Sequence, residues 1–152
     1  MRIERSILVA FIGNYLINNI VGAVVALLPL GGQGSPAQYV VYIALAGLMA
    51  GVFTWWALKG MGSLKAGAIF GGIAFVVAVC TALLSGIAGV LAQTGSFSQL
   101  ISVLPNFGPF LWNWSTLALL AYWVVPAVVV GFLMQRSAAA PAIPQGMPRP
   151  MI

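Results

Sequence analysis

Four long apolar runs dominate the chain, at residues 7–30, 39–58, 66–91 and 115–134, and glycine, proline, serine or charge separates them. None of the runs alternates apolar and polar positions as a barrel strand must, and each is longer than such a strand. Each reaches the length of about 20 residues at which a helix crosses the hydrocarbon of a bilayer. The pattern predicts an all-α integral membrane protein, a four-transmembrane-helix up-down bundle. Two of the breaks, residues 31–38 and 59–65, are short. Short connections are expected to set consecutive helices antiparallel and adjacent.

The third break is longer and carries a pattern of its own. Ser96 and Gln99 have capping-box spacing, and Phe97, Leu100, Ile101 and Leu104 recur at offsets of three, four and seven before Pro105 ends the series. This predicts a short interfacial amphipathic helix in the third loop. Phe107, Phe110, Trp112 and Trp114 follow as an aromatic belt. Trp55 and Trp56 mark one membrane interface, and Tyr39 and Tyr42 the opposite one. Phe97, Trp112, Trp114, Trp55 and Trp56 are therefore the expected interfacial anchors. Residues 1–136 read as one transmembrane domain, and the Pro- and Ala-rich residues 137–152 as a flexible tail.

Composition agrees with this reading. Of 152 residues 62% are hydrophobic and only 5% charged, which leaves too little charge to cover a soluble surface. The net charge of +5 does not indicate a nucleic-acid partner. Binders of nucleic acid concentrate Lys and Arg on one surface, whereas Arg2, Arg5, Lys59, Lys65, Arg136 and Arg149 lie at the ends of the runs. With four crossings all six cations fall on one side, and the positive-inside rule places both termini in the cytoplasm. The Ala, Gly and Val bias points to a bacterial inner (plasma) membrane. The first run exceeds the apolar region of a secretory signal and holds Asn14, Asn18 and Asn19, so it is expected to remain.

The chemistry available is narrow. The runs contain no Asp, Glu, His, Lys or Arg, and His is absent from the whole chain. Ion-coupled transporters and membrane enzymes generally rely on ionisable groups within the hydrocarbon. Glu4 is the one acid and Cys80 the one cysteine, so paired-carboxylate catalysis, a Ser–His–Asp arrangement and a zinc cluster are all out of reach. No enzymatic activity, metal or cofactor is expected.

Three features remain. Asn14 and Asn18 share a helix face, as do Tyr15, Asn18, Gly22 and Ala26. An amide in hydrocarbon needs a hydrogen-bond partner, which can be another helix of the bundle, a different subunit or a polar path. In the third run, Gly67, Gly71, Ala74, Ala78, Thr81, Ser85 and Ala88 follow alternating steps of four and three, and small residues let two helices approach closely. Gly47 and Gly51 form a GxxxG pattern in the second run, suited to the third helix or to a neighbour. The last feature is Pro126, which removes a backbone donor in the fourth run and predicts a kink. Together these predict a non-enzymatic accessory or scaffolding subunit of a larger inner-membrane complex. Its partners would be the lipid bilayer and other membrane subunits or further copies of itself. The alternative is a small channel, transporter or lipid-binding protein for uncharged or amphiphilic solutes.

Overall fold

The computed structural model describes residues 3–29, 35–96, 98, 101–102, 105 and 114–139. Among these residues the fold is helical, without strands. The first rod consists of α1 (Ile3–Leu16), a π-helical turn (Ile17–Val21) and α2 (Gly22–Leu27). It is followed by α3 (Pro36–Leu58), α4 (Leu64–Thr94) and α5 (Trp114–Ala139). All four rods are long and apolar enough to cross a membrane.

Local chemistry sets the ends. Leu28 precedes Pro29 and is extended, with ψ 135°, because the proline ring excludes the helical conformation from the residue before it. The first rod therefore stops at Leu27 rather than reaching residue 30. Ser35 caps α3 by accepting a hydrogen bond from the Gln38 N–H at 3.3 Å, with Pro36 in the first turn. Ser63 does the same for α4, accepting from the Ala66 N–H at 3.1 Å. Gly95, at φ 63°, closes α4 in the left-handed conformation that glycine adopts without penalty. Helix α5 continues through residues 137–139, into the segment read from sequence as tail. The rest of that tail lies outside the described residues. So do Phe97, Gln99, Leu100, Leu104 and Trp112, on which the interfacial helix and its anchors depend. Ile101 and Ser102 are helical.

The rods do not follow chain order around the bundle. The α1 rod packs against α3 and α4, and α5 packs against the same two helices on the far side. Helices α3 and α4, joined by the short turn at 59–63, meet only sparsely because α5 lies between them. The expectation that short connections make neighbours holds for the first rod and α3, and is corrected for α3 and α4. Gly60 adopts φ 85° in that turn, and the seam between α4 and α5 is close enough to outcompete an α3–α4 contact. Trp123 of α5, fully buried, fills the centre and reaches across to α1.

The basic residues gather at one end. An Arg5 Nη2–H donates to the Trp56 carbonyl at 3.2 Å, joining the start of α1 to the end of α3. The Leu64 N–H donates to Gln135 Oε1 at 3.0 Å, joining the start of α4 to the end of α5. Lys59 stands 5.9 Å from the Trp55 ring centre and Arg136 5.2 Å from that of Phe132. Cations at helix C-termini complement the carbonyl end of the helix dipole.

Candidate functional site

The small-residue stripe of α4 divides in two. Gly67, Gly71, Ala74 and Ala78 are buried. A Cβ added at Gly67 would strike the Ala127 carbonyl oxygen and stand 3.1 Å from the Gly131 Cα. One added at Gly71 would stand 3.0 Å from the Ala127 Cβ and 3.1 Å from the Val124 Cα. The seam is thus backbone against backbone, which only small residues permit. Its other half is Ala127 and Gly131, a small-xxx-small pair in α5 that was legible in the sequence but not singled out. Beyond Ala78 the stripe leaves the contact. Thr81 is half-buried and turns its hydroxyl onto the Val77 carbonyl at 2.7 Å, while Ser85 and Ala88 are exposed.

The GxxxG pattern faces α5 rather than α4. A Cβ at Gly47 would lie 3.6 Å from Pro126 Cγ, and one at Gly51 3.8 Å from Pro126 Cβ and from Val130 Cγ2. Pro126 sits inside α5, where its ring meets the shallow face that Gly47 and Gly51 leave on α3. The two features, read separately from sequence, are one contact.

The structure separates the asparagines by burial, and the first rod contains a π-helical turn that the sequence reading did not anticipate. A π turn spaces its bonds by five residues instead of four, and such turns often occur at functional positions. Asn14 precedes the turn and is 1% exposed. Asn18 and Asn19 lie within it and are exposed. Asn18 Oδ1 accepts a hydrogen bond from the Tyr42 hydroxyl at 2.9 Å, linking the first rod to α3. The Asn19 side chain folds back to donate to the Tyr15 carbonyl at 2.7 Å. Tyr15 itself is 62% exposed. A side chain added at Gly22 would meet nothing within 4 Å among the described residues. Tyr15, Asn18, Asn19 and Gly22 therefore make a polar, shallow outward face near the middle of the first rod.

Inward, the same level of the bundle is aromatic. The Trp123 ring packs edge-on to Phe70, with centroids 6.4 Å apart, and Tyr122 packs edge-on to Tyr42 at 6.2 Å. Sequence reading missed Gly13, Phe70, Tyr122 and Trp123. Within an all-apolar run nothing marks which aromatic turns inward. Trp55 and Trp56 are exposed at the basic end, and Trp114 opens α5. Among the described residues no three His, Cys, Asp or Glu side chains are grouped so as to hold a metal ion. Cys80 is exposed. Comparison with protein-family models, curated proteins and solved structures finds no match to this chain.

Proposed function

We propose that this chain is a four-pass inner-membrane protein with an up-down arrangement and cytoplasmic termini, serving as a non-enzymatic accessory or scaffolding subunit of a larger complex. The observation that carries this reading is the outward face of Tyr15, Asn18, Asn19 and Gly22. In lipid, hydroxyls and amides on an exposed mid-span face are unfavourable, and a neighbouring transmembrane helix relieves that cost. The bare floor at Gly22 lets such a helix come close, and the exposed Ser85 and Ala88 offer a second shallow strip on α4. The gathering of Arg5, Lys59 and Arg136 at one end supports the orientation through the positive-inside rule.

The test is purification of the tagged protein in gentle detergent with mass spectrometry of what accompanies it. Stoichiometric membrane subunits are expected with the wild type. Gly22→Leu and Tyr15→Leu are expected to lose them while unfolding at the wild-type temperature. A wild-type protein that purifies alone overturns the reading.

A second reading is a small channel, transporter or lipid-binding protein for uncharged or amphiphilic solutes, and it is favoured by the burial of the polar Asn14 side chain. Neutral linings can pass or bind uncharged molecules. Reconstituted flux that falls with Asn18→Leu in a folded protein would support it.

A further inference from the structure

The charge at the basic end is unbalanced. Among the described residues Arg5, Lys59, Lys65 and Arg136 face a single acid, Glu4, and none of them forms an ion pair with it. All are exposed. A cluster of unpaired cations at a membrane boundary calls for anions from outside the chain.

Two of these cations are brought together. Trp56 lies in the last turn of α3, where the final carbonyls have no partner within the helix. Arg5 of α1 donates to the Trp56 carbonyl at 3.2 Å, and a helical carbonyl points along the axis toward the residue four positions on. The guanidinium therefore lies beside Lys59, the residue that ends α3. That bond occupies one N–H of the guanidinium and leaves the rest of its fork to donate. Lys59 Nζ, 5.9 Å from the Trp55 ring centre, keeps its donors as well.

Each cation heads an exposed apolar strip at helical spacing. On α1 the strip is Leu8 and Ile12, on the face of Arg5; on α3 it is Trp55, Val52 and Leu48, on the face of Lys59. A charged pair above two apolar strips has the plan of an anionic phospholipid. The phosphodiester oxygens accept from both side chains, and the acyl chains lie along the strips. A zwitterionic lipid brings its own ammonium to the same place and gains less. Lys65 and Arg136 do not repeat the arrangement: Arg136 lies over Phe132 of its own helix, and Ser63 and Gln135 already take amides that open α4.

We propose that Arg5 and Lys59 form a headgroup site for an anionic phospholipid, whose phosphodiester bridges the start of α1 and the end of α3. The site requires that the chain span a bilayer, as proposed above, and is independent of which subunit meets the Tyr15–Gly22 face.

The test is native mass spectrometry of the full chain, delipidated in mild detergent and titrated with phosphatidylglycerol and phosphatidylethanolamine of matched acyl chains. Each cation at a membrane surface strengthens the binding of anionic lipid about fivefold. Phosphatidylglycerol is therefore expected to bind more than about tenfold tighter, and equal binding of the two lipids overturns the site. Lys59→Gln leaves the Arg5–Trp56 bond in place, so its effect does not come from unfastening the helices. It should weaken phosphatidylglycerol binding about fivefold, and Arg136→Gln should weaken it less than about twofold. Equal losses from both variants indicate a diffuse basic surface and overturn the pairing. Inorganic phosphate in large molar excess should leave the lipid bound, and displacement overturns a lipid as the occupant. Extraction of the chain from cell membranes by detergent alone checks the spanning reading separately, so its failure is distinct from a loss of lipid selectivity.

Discussion

The outer edge of the Trp123 ring stands 2.9 Å from the position a Cβ would occupy on Gly13, with the Phe53 ring 3.1 Å away on the same site. This contact is how α5 reaches the first rod across the centre of the bundle. A bulky indole and an absent side chain complement each other, and neither residue makes structural sense alone.

Gly13→Ala should therefore destabilise the bundle, by about 1–3 kcal/mol, the usual cost of overpacking a core. Gly72→Ala is the control. It is exposed, with nothing among the described residues within 4 Å of the added methyl, and should be neutral or slightly stabilising, since alanine favours a helix over glycine by about 0.5–1 kcal/mol. Thermal or denaturant unfolding in detergent separates the two.

The α4–α5 seam should tolerate even less. Gly67→Ala pushes a methyl onto the Ala127 carbonyl, and Gly131→Ala places one 2.6 Å from the Ser63 carbonyl oxygen. Because the obstacle is backbone, no rotamer change relieves it. Both variants should lose more stability than Gly13→Ala, whose neighbours are side chains. Ser85→Leu, on the exposed continuation of the stripe, should leave unfolding unchanged. Equal losses from Gly67→Ala and Ser85→Leu would contradict the division of the stripe.

At the α3–α5 contact the size of the added side chain decides the outcome. Gly47→Ala meets Pro126 Cγ at 3.6 Å, an ordinary van der Waals distance, and should change stability by less than about 0.5 kcal/mol. Gly47→Leu must displace the proline ring and should cost about 1–3 kcal/mol. An unfolding series over Ala, Val and Leu at this position should show a threshold rather than a uniform slope.

Orientation can be read by cysteine accessibility in whole cells, in a background where Cys80 is replaced by alanine. Lys65→Cys, at the basic end, should react only after the membrane is permeabilised. Gln38→Cys, at the start of α3 and so at the other end, should react with an impermeant reagent from outside. The opposite pattern would reverse the proposed topology.

Much of the architecture was legible because it depends on composition and local chemistry. Helix length and apolarity follow from residue type alone, as do the Ser35 and Ser63 caps and the stop imposed by Pro29. The candidate site was legible only in part. Gly47, Gly51 and Pro126 could each be noticed, but their meeting could not, since nothing in either run names its partner. The asparagines show the limit most clearly: spacing puts Asn14 and Asn18 on roughly one face, but only the packing of neighbouring helices decides that Asn14 is buried while Asn18 stands at the edge and meets Tyr42.

By itself, then, the sequence determined four apolar helices, their approximate ends and cations confined to those ends and the segments between and beyond them. Those properties arise from residues close together in the chain. The tertiary structure alone decided that α5 separates α3 from α4, that four of the seven small residues of the α4 stripe are consumed inside the bundle, and that Trp123 closes on Gly13. When every helix is apolar on all sides, hydrophobicity cannot choose neighbours. Steric fit between bulky and missing side chains chooses them, and that fit exists only once the helices have met.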